Sequence, residues 1–191
     1  MKPPDVAELI TQLRDRAIAQ TPAEFLADDR SQLRSPGLYS WWVDSGGAAD
    51  LQIGLGQPVA PELIYVGLAG ATRSRSGQKS TNTLAKRIGR MHLGGRHEFS
   101  TFRPSLGSIL ANARQEPEID EDRLTSWMHE HLRVVTIPVE DADAMDKMES
   151  EILRRLDPPL NLSKVKKNEL RDRIGELRRK YGRKTRSPEA Q

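Results

Sequence analysis

Apolar residues recur at helical spacing at Val6, Leu9, Ile10, Leu13 and Ala17, which predicts a helix over Val6 to Ala19. Asp5 stands where it can cap that helix, after Pro3-Pro4. Thr21-Pro22-Ala23-Glu24 carries the signature of a second, short helical start. Pro36-Gly37 breaks the chain, and Leu38-Tyr39-Ser40-Trp41-Trp42-Val43 then has the aromatic and branched residues of a strand. Asp44-Ser45-Gly46-Gly47 predicts a turn, and no clear pattern follows until Pro61. Leu63-Ile64-Tyr65-Val66-Gly67 predicts a second strand, paired antiparallel with the first across a long connection. Alternation puts Tyr39 with Trp41 and Val43 on one face, and Tyr65 with Leu63 and Gly67 on one face.

Leu68 to Thr83 is rich in Gly, Ser, Thr, Arg and Lys and reads as a mobile loop. Asn82 or Thr83 is placed to cap a helix from Leu84 to about Leu93, ended by Gly94-Gly95. Shorter helices are expected over Ser105 to Ala113 and Arg123 to Leu132, the second with Leu124, Trp127, Met128 and His131 on one side. Val134 to Val139 predicts a third strand. Asp141 to Leu156 is the clearest amphipathic helix, stopped by Asp157-Pro158-Pro159. Leu170, Ile174 and Leu177 mark a last helix within Lys166 to Lys180, on an otherwise basic segment whose end is expected to be disordered.

Composition narrows the chemistry. The 191 residues suit one domain with appendages. With no cysteine, disulfides, thiolate metal sites and cysteine nucleophiles are excluded, and a cytoplasmic location is the default expectation. No apolar run is long enough to span a membrane, and no apolar region of a secretory signal follows Met1-Lys2-Pro3-Pro4. Net charge is only +3, but it is unevenly spread. Leu68 to Arg103 holds eight basic residues against Glu98 alone, and Lys164 to Gln191 holds eleven against four acids. Between them, Glu116 to Asp157 carries thirteen acids against five bases. Two basic lobes around an acidic middle suit a phosphate-binding surface; solvated faces and a basic tail are the plain alternative.

Three sets of residues invite chemistry. Glu149 lies inside the apolar stripe Met145, Met148, Ile152 and Leu153 without a Lys or Arg three or four positions away, whereas Glu151 has Arg154 and Arg155 there. A carboxylate turned toward a core needs neutralising, which a divalent cation would do; the plain alternatives are a buried salt bridge to an arginine elsewhere in the chain and a position at the rim. Arg87 flanks the stripe Leu84, Ile88, Met91, suited either to a phosphate or to an acid of the same domain. His92 sits on the stripe's other flank, where a histidine is structural or accepts a proton. Tyr39 and Tyr65 are ordinary strand residues except for their pairing with glycines, in Gly37-Leu38-Tyr39 and Tyr65-Val66-Gly67.

In order, these pieces resemble the GIY-YIG nuclease superfamily. Gly37-Leu38-Tyr39 and Tyr65-Val66-Gly67 correspond to the two triplets, and Leu84-Ala85-Lys86-Arg87-Ile88 to the helix with the catalytic arginine. Met148-Glu149-Ser150-Glu151-Ile152-Leu153 corresponds to the helix with the metal-binding glutamate, and Pro158-Pro159-Leu160-Asn161 to the closing segment. The likeness runs from Pro36 to Asn161. The chain departs from it twice: the histidine that many members carry one turn after the arginine is Met91 here, with His92 next, and Leu68 stands where many have lysine. His97 to Leu106, with Ser100-Thr101-Phe102-Arg103, resembles a bacterial subgroup and has no role that the superfamily assigns.

The resemblance implies an α+β fold: a small three-stranded antiparallel sheet flanked by helices, in a catalytic domain over 34–163. A helical segment over 1–33 precedes it and a basic helical tail over 164–191 follows. It implies hydrolysis of phosphodiesters, most naturally in double-stranded DNA, with one divalent metal, Mg2+ or Mn2+, on Glu149. Arg87 would neutralise the phosphoryl oxygens, Tyr39 would act as general base beside Tyr65, and Asn161 would orient the tyrosine and phosphate groups. The base stays open among Tyr39, Tyr65 and His92. Arg73, Arg75, Lys79, Arg96 and Arg103 are the expected phosphate contacts. A silent nucleic-acid-binding module, a subunit active only with a partner, and a protein-interaction adaptor are the competing readings.

Overall fold

The structure is a computed structural model that describes residues 5–27, 32–70, 82–94, 100–139 and 142–182. Three antiparallel strands, β1 (Gly37–Val43), β2 (Leu63–Ala69) and β3 (Leu132–Pro138), form one sheet in the order β2-β1-β3. The helices are α1 (Val6–Leu13), α2 (Pro22–Ala27), α3 (Ser45–Leu55), α4 (Phe102–Ala113), α5 (Glu121–His131), α6 (Ala142–Leu156) and α7 (Glu169–Tyr181), with a π-helix at Lys86–His92. The α+β fold expected from the sequence is the fold observed.

Local chemistry sets most of the boundaries. Asp5 caps α1 through Ala7 N, and Thr21 and Glu24 form a reciprocal capping box: Glu24 N donates to Thr21 Oγ1 at 3.0 Å and Thr21 N to Glu24 Oε2 at 2.7 Å. Helix α1 stops at Leu13, short of Ala19, because Asp15 starts a 3-10 turn at Arg16–Ile18 and the chain then extends to pair Gln20 with Val134. The turn expected at Asp44–Gly47 is instead the first turn of α3. Asp44 accepts from Gly47 N at 2.8 Å, and the two glycines let the helix press against α5, where a Cβ on Gly47 would lie 2.7 Å from His131 Cβ. Glycine's poor helix propensity hid that helix; tertiary packing requires it.

Each sheet face packs on its own apolar cluster. One holds Tyr39, Trp41 and Val43 of β1 with α3, α4, α5 and α7; the other holds Leu38, Val66 and Val135 with Leu9 and Leu13 of α1 and Met145, Met148, Ile152 and Leu153 of α6. Tyr39, Trp41 and Val43 share a face as alternation requires. Leu63 does not join Tyr65, because the register shifts between Trp41 and Trp42, so that Trp41 faces Tyr65 and Trp42 faces Leu63. Helix α7 carries Ile174, Leu177 and Tyr181 into the first cluster, so the basic segment contributes core as well as charge. No helix among the described residues is long and apolar enough to cross a membrane.

Candidate active site

The two triplets are adjacent because β1 and β2 are: Tyr39 lies opposite Gly67, and Gly37 opposite Ala69. Both glycines are required by close approach. A Cβ on Gly67 would sit 2.3 Å from Tyr39 Oη and 2.4 Å from its Cζ, so the phenol occupies the space that any side chain would need. A Cβ on Gly37 would lie 2.3 Å from the Ile137 carbonyl oxygen and 2.6 Å from Leu84 Cδ1. The glycines thus seat the phenol and the helix of Arg87.

That helix explains the displaced histidine. Thr83 Oγ1 accepts from Lys86 N at 3.3 Å, and the following turns are wound with π geometry, Leu93 N donating to Ile88 O at 2.9 Å. A π-helix closes its turns five residues apart, so the residue five positions after Arg87 returns to the side that the fourth would take in an α-helix. His92 therefore reaches the tyrosines while Met91 accepts from Asn82 Nδ2 at 3.6 Å. His92 Nε2 lies 2.7 Å from Tyr39 Oη and its Nδ1 lies 2.7 Å from Ser100 Oγ, with the ring 1% exposed.

The described part of the segment without an assigned role, from Ser100 onward, packs against this centre. Thr101 Oγ1 is 3.1 Å from Tyr65 Oη, the Phe102 ring packs on Tyr65 at 4.7 Å and edge-on to His92 at 5.6 Å, and Arg103 Nη1 donates to the His92 carbonyl at 2.8 Å. Arg103 corrects an expectation: it is buried and bonded to Glu121 Oε2 at 2.6 Å and Thr125 Oγ1 at 3.0 Å, so its guanidinium serves the protein and is not presented to phosphate. Arg73, Arg75, Lys79 and Arg96 lie outside the described residues. Serine and threonine at 100 and 101 carried no signal of their own, since short hydroxyl side chains before a helix are usual caps.

Arg87 stands on the π-helix and Glu149 on α6, elements whose apolar residues pack in different clusters. Their charges act on both phenols, Arg87 favouring phenolate and Glu149 opposing it. Burial outweighs both: it pushes Tyr39 well above the ordinary tyrosine value, helped by Tyr65, and pushes Tyr65 upward as well. Burial, with Arg87 and Arg103 nearby, lowers His92 from 6.5 to about 3. A ring that resists a proton so strongly is a poor base at neutral pH. Arg87 Nε is buried with no hydrogen-bond partner among the described residues.

Glu149 is paired with a lysine, where the expected alternative to a metal was an arginine or a rim position: Lys164 Nζ lies 2.5 Å from Glu149 Oε2. The Glu149 carboxylate retains 16% side-chain exposure. Among the described residues no group of three or more acidic or histidine side chains is placed to hold a metal, so a cation on Glu149 would have at most one further such ligand among them. That suits a hard ion such as Mg2+, which keeps several waters and takes other oxygens from a phosphate. Glu151, as its spacing foretold, pairs with Arg155.

Asn161 does a different task from the one the resemblance implied. Its Oδ1 accepts from Val66 N at 2.9 Å and its Nδ2 donates to Val66 O at 2.8 Å, while Leu160 N donates to Ile64 O. The closing segment thereby covers the open edge of β2 at the second triplet. Behind it, the buried Arg171 of α7 donates to the carbonyls of Asn161, Pro158 and Lys166 and to Asp157 Oδ1. The last helix therefore holds the loop that carries Asn161 and Lys164.

No curated protein and no solved structure matches the chain significantly. A family model, the GIY-YIG catalytic domain, matches residues 37–180, from the first glycine of β1 to the penultimate residue of α7. That span takes in the elements that carry the tyrosines, the arginine, the glutamate and the asparagine, and by it the chain belongs to the GIY-YIG family of nuclease domains.

Proposed function

We propose that the protein is an endonuclease that hydrolyses phosphodiester bonds of double-stranded DNA in the cytoplasm, using one divalent cation, Mg2+ or Mn2+. The observation that carries this reading is the match of residues 37–180 to the GIY-YIG catalytic domain, within which Tyr39 lies opposite Gly67 on paired strands and bonds His92 of the helix that carries Arg87.

Glu149 would hold the cation, which supplies positive charge for the scissile phosphate and the leaving oxygen. Arg87 has a buried Nε without a partner among the described residues and would neutralise the charge that develops on the phosphoryl oxygens. Tyr39, as phenolate, takes the proton of the attacking water as the new oxygen–phosphorus bond forms and the ester bond breaks; the departing alkoxide is protonated from solvent. At pH 7 ionising a phenol of ordinary pKa costs ~4 kcal/mol, and burial of Tyr39 adds to this. Tyr65 hydrogen-bonds in the same centre, and Asn161 acts at one remove by holding β2 in place. Arg73, Arg75, Lys79 and Arg96 are proposed to meet the backbone phosphates, giving salt-dependent affinity.

The test is nicking of supercoiled plasmid by the full chain with Mg2+ or Mn2+, set against Glu149→Ala. The reading expects nicking that the variant loses by about a hundredfold or more while it still binds DNA. Binding without nicking by the natural chain would replace it with a binding module or a partner-dependent subunit, and no DNA binding at all would favour the adaptor.

A further inference from the structure

We propose that Ser100 is a positioning residue: it fixes His92 in the tautomer with its proton on Nε2, so that the histidine donates a hydrogen bond to Tyr39 and takes no proton from it. The inference rests on the reading of Tyr39 as the base. A serine hydroxyl has two lone pairs and one proton. Ser100 Oγ already accepts from two backbone donors, Phe102 N at 3.1 Å and Arg103 N at 3.0 Å, at the start of α4. Its proton is left for the third neighbour, His92 Nδ1 at 2.7 Å. That nitrogen must then accept, and a neutral imidazole has a single N–H, so the proton is on Nε2. Nε2 lies 2.7 Å from Tyr39 Oη, which therefore accepts.

The surroundings hold the ring in this state. Every group in the relay is buried: Ser100 is 7% exposed, Tyr39 2% and His92 1%. The groups facing the ring are Tyr39 and Trp41 from β1, Tyr65 from β2, Arg87 from its own helix, and Phe102 and Arg103 from α4. The two cations oppose an imidazolium between them, and Glu149 acts on the phenols. The Tyr39 hydroxyl keeps its own proton while it accepts from His92, with the Tyr65 ring beside it at 6.3 Å between centroids. When that proton leaves, the His92 N–H still points at the oxygen and stabilises the phenolate, as a donor to the charged form does. Ser100 acts through His92.

Nitrogen-15 NMR of the histidine rings in the full chain reads the tautomer directly. We expect His92 Nδ1 unprotonated and Nε2 protonated at neutral pH. In Ser100→Ala the Nδ1–H form should appear, and the rising alkaline limb of the nicking rate should move up by about one pH unit with KM unchanged. Ser100→Thr should restore both. An Nδ1–H or doubly protonated His92 in the natural chain would overturn the inference even if Ser100→Ala failed to fold. So would a Ser100→Ala protein that keeps tautomer and pH profile. If the natural chain shows the Nε2–H tautomer but never nicks DNA, the enzyme reading fails and the tautomer assignment stands.

Discussion

Lys164 holds its ammonium 2.5 Å from Glu149 Oε2, so the carboxylate proposed to carry a metal is occupied by a cation of the chain itself. Lys164 reaches it from a left-handed backbone position, φ 60°, that a non-glycine residue adopts only when its surroundings demand it. A divalent ion must displace that ammonium. Lys164→Met should therefore bind Mn2+ about two- to fivefold more tightly in the absence of DNA, the range a half-exposed ion pair supports. Titration followed by the electron paramagnetic resonance of free Mn2+ measures it, with Glu149→Ala as the control that loses the site. Unchanged or weaker binding in Lys164→Met would show that the pair does not compete with metal.

The raised Tyr39 pKa gives the reaction a direction in pH. Only phenolate accepts the water's proton, and its value lies well above 10, so its fraction grows about tenfold per unit across the neutral and mildly alkaline range. Nicking rate should climb through that range without a plateau below about pH 10. Tyr39→Phe should lose about a hundredfold or more and flatten the climb. Wild-type rates at every pH in Tyr39→Phe would exclude it as the base.

His92 links the site to acid stability. Its folded value of about 3 lies below the unfolded 6.5, so its contribution is complete above about 6.5 and is lost as pH falls toward 3. At ~pH 4.5 this amounts to about 2–3 kcal/mol, which urea unfolding resolves. His92→Gln should flatten the fall in stability over that window. An equal fall in the variant would place the acid sensitivity elsewhere.

Gly67 is tied to Tyr39 by contact. Gly67→Ala puts a methyl 2.3 Å from the phenol oxygen, and the ring or the strand must move. The expected loss is about 1–3 kcal/mol of stability, together with most of the nicking activity. Gly175→Ala, whose Cβ would meet nothing within 4 Å on α7, is the contrast and should stabilise by up to ~1 kcal/mol. Equal melting temperatures for the two variants would refute the packing account.

Local order was enough to announce most elements of this chain. The alternation of β1, the stripe of α6, the Thr21–Glu24 box and the spacing of the two triplets are patterns over neighbouring residues, and neighbours obey propensity and periodicity. The order of Tyr39, Tyr65, Arg87 and Glu149 along the chain was also legible, and it is from that order that they are proposed as one set. What the tertiary structure alone decided are meetings between residues far apart in sequence. It placed Lys164 on Glu149, turned Arg103 inward to Glu121, spent the Asn161 amide on Val66, and wound a π-helix that brings His92 to Tyr39. A side chain's type shows what it can bond to; which partner lies within reach, and how much water is left to compete, depends on how the elements pack.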